Sequence, residues 1–455
     1  MRYIFLNFLK FFPLFSSCLT LLGQQSVYHP LTSYGIGESE LHDHGVYSAL
    51  GNVRTALIDS SQLNYFNPSS YSALSKGNTL FSVGVNLRVS FFSQNKDQII
   101  KTSGNLNHFA LGFKVKNSFG MAFGLMPYAA KGYSLTEKIF TGIDSIKNSY
   151  EGSGYINRVF FGFSYAPIQS KTSYLSLGAN AGYLFGGMQN QRRSQLIQGS
   201  TASGGLYQEN LRISAFNTDL GIAFSQSIGE NIKFNLGGTL VPHIKLPGSL
   251  ESVFYYASNL NSPSSYDTLF YVSRKGAILQ GNRMAVSSLI EFKLQDRSRK
   301  NKTKHPLLTL GLEYTKNTPY KIDFPGSAYD STARNSIASE LYSMGIEFKP
   351  ERYLSENIAT LGFFDKFSYR LGGFYGSLPY SDANNNLFKV HALTFGLGIP
   401  ILSQQSLSSL NFSCILGQRG TFRVGSINEN FMSFQFTAVL APAGFERWFR
   451  KRKLD

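Results

Sequence analysis

The sequence predicts an all-β fold: a transmembrane antiparallel β-barrel of about 14 strands closed around a small, partly helical N-terminal plug. Three observations predict it. Charged residues are 15% of the 455-residue chain and aromatics another 15%, with 39 Phe and 26 Tyr, whereas an ordinary soluble domain is roughly one-quarter charged. From Asn78 onward the apolar residues recur with period two. The N-terminus reads as an export signal.

The leader comes first. Arg2 gives a basic start, Phe11 to Leu22 an apolar run, and Gly23 a small residue before a polar stretch. This reads as a secretory signal peptide (1–23) cleaved near Gly23, which sends the protein to the bacterial outer membrane. Lys10 and Pro13 interrupt the run and argue against a retained anchor. Of the two cysteines, Cys18 lies in the leader and Cys414 in an alternating segment. The mature chain therefore has no internal disulfide and no cysteine-based metal site.

Residues 24–77 lack the alternation that follows. Ala, Leu and Ser are irregularly spaced, Val46 to Ile58 suits a short helix, and Asn67-Pro68 ends it or turns the chain. This region is the expected plug or hatch.

Residues 78–440 form the expected barrel. In "FMSFQFTAVL" (Phe431–Leu440), Met432, Phe434 and Phe436 share one face while Ser433, Gln435 and Thr437 share the other. "SAFNTDLGIAF" (Ser214–Phe224), "NHFALGFKVK" (Asn107–Lys116) and "LLTLGLEY" (Leu307–Tyr314) show the same division. Such segments begin near Thr79, Asn105, Phe119, Gly154, Ser173, Gln208, Asn231, Asn282, Pro306, Asn335, Phe367, Leu387, Ser406 and Asn430. Many are longer than the usual strand of about five or six residues, and about ten tilted residues span a bilayer. Closure is obligatory there, because each unpaired backbone group in hydrocarbon costs several kcal/mol. Short connectors such as Lys116–Ser118, Pro167–Thr172 and Pro400–Gln405 mark one end. Ala130–Ser153, Met188–Tyr207, His243–Gly281 and Thr318–Arg334 read as long outer loops. Residues 441–455 form a basic periplasmic tail.

The net charge is +16, with clusters at Asp296–His305 and Arg447–Lys453. Neither interleaves with aromatics, so nucleic acid is not an expected partner. Outer-membrane lipids and lipopolysaccharide are the expected surroundings. His42 and His44 flank Asp43, but no third ligand accompanies them and no metal is expected. His243 and His391 have no serine to pair with, and no catalytic motif is present. The reading is therefore no enzyme and no cofactor. Alternation turns Lys114, Asp219, Glu313, Glu347 and Arg370 toward the lumen, where pairing would tolerate them.

"GNVRTALIDSSQLNYFNPSSYSAL" (Gly51–Leu74) resembles the N-terminal region of the FadL/TodX-type outer-membrane transporters of long-chain fatty acids and hydrocarbons. Phe66, Asn67, Pro68 and Ser69 match that family's aromatic–Asn–Pro–small pattern before the first strand. The resemblance implies a fourteen-stranded barrel, a hatch that gates near Asn67-Pro68, and passive transport of a small hydrophobic ligand of fatty-acid or hydrocarbon type. The alternative is a structural or protein-secretion-associated barrel with a sealed lumen, held to a protein partner that the sequence does not name.

Overall fold

The computed structural model describes residues 27–441 apart from 34, 40–43, 78, 96, 141, 143–144, 198–202, 296, 300–301, 326–336, 352–360, 382–385, 402–407 and 424–425. The leader, Cys18, His42, Asp43, the Arg447–Lys453 cluster and part of the Asp296–His305 cluster lie outside the described residues.

Alternation folds as expected, into strands. β1 (Glu38–Ser39) belongs to the N-terminal segment. The wall begins with β2 (Thr79–Gln94), β3 (Asp97–Lys116), β4 (Phe119–Phe140), β5 (Ser145–Gln169), β6 (Ser173–Leu196), β7 (Gly204–Ile228) and β8 (Ile232–Val241). A hairpin of β9 (Ile244–Ala257) and β10 (Tyr266–Gln280) precedes β11 (Arg283–Lys293). A small hairpin, β12 (Arg297–Arg299) and β13 (Lys302–Lys304), leads to β14 (Leu307–Asn317), and β15 (Lys321–Asp323) follows. β16 (Ser339–Lys349), β17 (Ser368–Ser381), β18 (Leu387–Pro400), β19 (Ser409–Gly420) and β20 (Asn428–Leu440) complete the wall.

Fourteen of these strands close a ring by antiparallel pairing. The order is β2 to β8, then β11, β14 and β16 to β20, and β20 returns to β2 from Phe81↔Leu440 to Ser93↔Asn428. Among the described residues no helix is long and apolar enough to cross a membrane. Alternation assigns the two faces correctly. Leu312, Leu393, Val286, Met344 and Phe216 point outward and are exposed, while Thr309, Glu313, Thr394, Ser433 and Thr437 point inward and are buried.

Several expected boundaries move. The expected loops Ala130–Ser153 and Met188–Tyr207 are mostly strand, because β4–β5 and β6–β7 continue as tall hairpins paired up to Phe140↔Ser145 and Gln195↔Gly204. Strand starts read at Asn105 and Gly154 therefore fall at Asp97 and Ser145. Beyond the apolar band both faces are polar, so the period that marks a strand fades. The stretch His243–Gly281, read as a loop, is the β9–β10 hairpin. β9 pairs with the upper half of β7 and β10 pairs with β15, which brings Ile322 and Phe324 over the wall. Among the described residues the α-helix of the plug is Gly45–Ala49 rather than Val46–Ile58.

The two largest apolar cores among the described residues occupy the interior. Toward the short-turn end, Val46, Tyr47, Leu50, Leu63, Tyr71 and Leu74 of the plug pack against Leu80, Ala110, Ala122 and Phe160 of the wall. Toward the long-hairpin end, Leu246, Leu250, Ile278, Ile322 and Phe324 pack against Ile156, Leu184 and Leu211, with Ile36 of the N-terminal segment included.

Candidate functional site

The lumen and the chain inside it form the candidate site. The plug rides directly on lumen-facing glycines of seven strands. A Cβ at Gly120, Gly178, Gly221, Gly237, Gly345, Gly372 or Gly396 would collide with Tyr71, Pro68, Asn67, Thr55, Leu50, Gly51 or Ala49 respectively. Glycine serves here for close approach of backbone to backbone. It also accounts for the tiny-residue face seen in the sequence.

Polar wall side chains fasten the same path. The Thr394 hydroxyl accepts from the Gly51 amide at 3.0 Å and donates to the Ala49 carbonyl at 2.9 Å. Thr437 accepts from the Gly45 amide at 3.0 Å. The Glu313 carboxylate accepts from the amides of both Arg54 and Thr55 at 2.7 Å. Charge-assisted bonds of this kind are about twice as strong as neutral ones.

Four of the five charged residues expected in the lumen, Asp219, Glu313, Glu347 and Arg370, are buried there. Asp219 pairs with Arg158 at 2.6 Å. Glu347 pairs with Arg370 at 2.7 Å and with Lys349 at 3.2 Å, and Arg370 also donates to Asn411 at 2.9 Å. Glu313 holds the plug. Lys114 is bridged to Lys76 at the short-turn end. They are dispersed supports rather than one cluster. His243 is exposed at the β8–β9 turn. His391 faces outward and bonds Gln418 at 3.1 Å.

The junction motif is a built structure rather than a simple turn. Asn67 caps a 3-10 helix, Pro68–Ala73, whose first residue is proline, a position where the missing amide costs nothing. The Asn67 side chain is fully used. Its oxygen accepts from the Ser69 amide and hydroxyl at 3.2 and 2.6 Å, and its nitrogen donates to the Thr55 and Ile222 carbonyls at 2.7 and 3.1 Å. Ser69 is bound to the wall through Ser176, which donates to its carbonyl at 2.8 Å. Tyr71 donates to Asn180 at 3.0 Å. Phe66 lies under the Arg54 guanidinium at 3.9 Å.

A buried chain of hydrogen bonds that the sequence did not reveal crosses from plug to wall. The Val46 amide donates to His44 Nδ1, the Ser82 hydroxyl lies between His44 Nε2 and His108 Nε2, and His108 Nδ1 meets the Tyr65 hydroxyl at 3.0 Å. The two imidazoles stack at 5.2 Å. Burial, then the charges of His108 and Arg370, hold the His44 pKa well below its ordinary value. His44 is neutral in this arrangement, since its Nδ1 accepts the Val46 amide. No local pattern links positions 44, 82 and 108.

The wall itself is split. β3 and β4 pair only from Lys116↔Phe119 up to Phe109↔Leu125, two residues short of Pro127. Above that point β3 pairs only with β2, and a bulge falls at Asn107. The freed edge of β4 is taken by the N-terminal segment. β1 pairs Glu38↔Ala130 and Ser39↔Ala129, the His29 amide donates to the Gly132 carbonyl at 2.9 Å, and Thr32 bonds Gly132 in both directions. Tyr28 and His29 pack edge-on against Phe92.

An ion cluster secures this segment. Glu38 meets Arg419 at 2.8 Å and Arg88 at 3.5 Å, and His29 meets Glu429 at 3.0 Å. Burial raises the Glu38 carboxyl, but Arg419 and Arg88 outweigh it and hold the pKa down at about 2.

Two small cavities lie inside. One cavity of about 240 Å³ lies between Arg54 and Phe66 of the plug and Ile278 and Tyr320 above. A second of about 200 Å³ lies between Arg88 and Leu378. A larger recess, about 880 Å³, opens on the wall among exposed Leu312, Met344, Leu393 and Leu416.

This architecture has solved counterparts. The chain is similar to the Ralstonia pickettii toluene transporter TbuX, at 12% identity and a TM-score of 0.51 over 88% of this chain and 99% of that one. It is similar to a mutant of the TodX monoaromatic hydrocarbon channel, at 11% identity and a TM-score of 0.51 over 88% and 98%. A Pseudomonas aeruginosa FadL homologue matches at 9% identity and a TM-score of 0.49 over 86% and 96%. At such identities the first two likenesses establish a shared fold, the FadL/TodX-like barrel that the junction motif led us to expect. No curated protein matches the chain. The model of the BamG family matches residues 7–455, nearly the whole length, and the chain belongs to the BamG family.

Proposed function

We propose that the protein is an outer-membrane barrel with a sealed lumen, acting as a structural, protein-partnering component of that membrane rather than as a conduit. The outward band of Leu, Val, Met and Phe supports the membrane setting, since such residues are unfavourable in water and suit hydrocarbon. The observation that carries the sealed reading is the attachment of the plug to glycines on seven strands around the ring. A gate needs a part that leaves its seat at modest cost. Moving this plug would break the Glu313, Thr394, Thr437 and Asn67 bonds together and expose a shared apolar core. Family membership adds no transport cargo of its own.

A second reading is uptake of a small hydrophobic compound. The fold shared with a toluene transporter and the 240 Å³ cavity beside Phe66, Met126 and Tyr128 favour it.

Reconstitution in liposomes separates the two. The intact protein is expected to pass neither a small sugar nor toluene above protein-free vesicles, while a variant lacking residues 24–76 leaks. Toluene flux through the intact barrel would overturn the sealed reading in favour of uptake. If deleting the segment left permeability unchanged, the segment would not be the seal.

A further inference from the structure

The recess on the outer face of the wall is ordered by strand register. Leu312, Met344, Gly373, Leu393, Leu416 and Met432 stand opposite one another on β14, β16, β17, β18, β19 and β20. Five of them carry apolar side chains, and Gly373 leaves a gap in the middle of the row. β17 has two glycines in succession here. Gly372 faces inward and takes the plug, while Gly373 faces outward beside Leu393. The result is a concavity of about 880 Å³. Elsewhere the outer face is filled by large rings such as Tyr183, Phe185 and Phe216, which lie against one another.

Two residues nearer the mouth, the next row is polar. Tyr342, Tyr375, His391, Gln418 and Asn430 stand side by side on five strands and are all exposed in the recess. An imidazole and two amides are costly against hydrocarbon unless something bonds them. One step further, Lys389 stands exposed between Ser377 and Gly420. Arg423 is exposed on the loop after β19, and its neighbour Phe422 lies against the His391 ring at 5.4 Å.

From the short-turn end toward the mouth, the wall therefore offers apolar groups, then hydrogen-bonding groups, then cations. That is the order of an anionic amphiphile with its chains directed to the membrane centre. The polar row crosses five strands, about 19 Å at the usual strand spacing, which is broad for one glycerol phosphate and suits a sugar headgroup. The long-hairpin end is the outer side of such a barrel, so the lipid comes from the outer leaflet.

We propose that this recess seats one phosphate-bearing, acylated glycolipid of the outer leaflet, of the lipid A class. Its acyl chains lie over Gly373, its hydroxyls on His391, Gln418 and Asn430, and its phosphate toward Lys389 and Arg423. This inference rests on the outer-membrane setting and is independent of whether the lumen is sealed.

Native mass spectrometry of the full-length protein, extracted from outer membranes in mild detergent, tests it. One glycolipid should stay bound per barrel. After delipidation, purified lipid A should rebind in preference to its dephosphorylated form and to phosphatidylglycerol. Gly373→Leu fills the gap, and Gln418→Leu with Lys389→Ala removes headgroup contacts on the outer face. Each should keep the heat-modifiable mobility of a folded barrel and weaken lipid A binding about tenfold, equivalent to about 1.4 kcal/mol. Tyr183→Ala, on the outer face of β6, should bind as the parent does. If Gly373→Leu does not fold, the double variant decides. Phosphatidylglycerol bound as well as lipid A, several lipids held without preference, binding indifferent to the variants, or no retained lipid would each overturn the proposal. A chain missing from the outer-membrane fraction would sink the setting as well, whereas a barrel found there without the glycolipid fails the seat alone. None of these results alters the liposome permeability on which the sealed reading stands.

Discussion

The plug seat and the wall split hold the same chain by different means. At the seat, the plug lies on glycines of seven strands, and polar pins recur on strand after strand. At the split, two residues of β1, one turn and an ion cluster do the holding. The first is redundant. The second depends on a few charged and backbone bonds near the mouth. The difference teaches where this barrel can yield: at the N-terminal segment rather than at the plug.

The largest effect should come from crowding the seat. Gly372→Val drives side-chain atoms into Gly51 and Leu50. Overpacking costs about 1–3 kcal/mol or more, and we expect a barrel that either fails to show heat-modifiable mobility or leaks in liposomes. A tight, folded Gly372→Val barrel would mean the seat is loose.

Glu313→Ala comes next. It strands the Arg54 and Thr55 amides in a buried site, a loss of about 1–3 kcal/mol or more for a charged acceptor. Urea unfolding midpoints should fall while the split keeps its protection in hydrogen exchange.

Acid distinguishes the regions in steps. The folded state resists protonating His44, whose pKa lies below its ordinary 6.5. Its contribution is complete above that pH and is lost as pH falls below it. Glu38 is held at about 2 against an ordinary 4.5. Its contribution is complete above about 4.5 and is lost as pH falls toward 2. Hydrogen exchange should show residues 44–46 loosening first and residues 35–39 only at more acid pH, with the second step absent in Glu38→Gln. Simultaneous loosening would mean the two regions are one unit.

The smallest change is Tyr71→Phe. It removes one bond to Asn180, worth about 1 kcal/mol, and should shift the unfolding midpoint slightly with no leak.

Much of the wall was legible because alternation is a local signal. Strand starts at Thr79, Phe119, Ser173 and Leu387 coincide with expectation, and Asp219, Glu313, Glu347 and Arg370 point where period two sends them. The tall hairpins were missed because above the apolar band no face is consistently apolar. The β9–β10 hairpin was missed because its reason for being a strand lies in β7, many residues away. The split was invisible for the same reason. It is a fact of register, set where Phe109↔Leu125 is the last pair before Pro127. The junction was found through Phe66–Ser69, yet its motif said nothing of the four bonds that fix Asn67.

The glycine seat also constrains the order of assembly. Gly45 is bonded to Thr437 and Gln62 to Ser409, so early residues of the chain meet its latest strands. Contacts of such long sequence separation form slowly. A chain wedged against glycine on opposite walls has no room to thread into a finished ring. The first-made segment must wait inside while the sheet curls round it, and the β2–β20 seam is then the last door to shut.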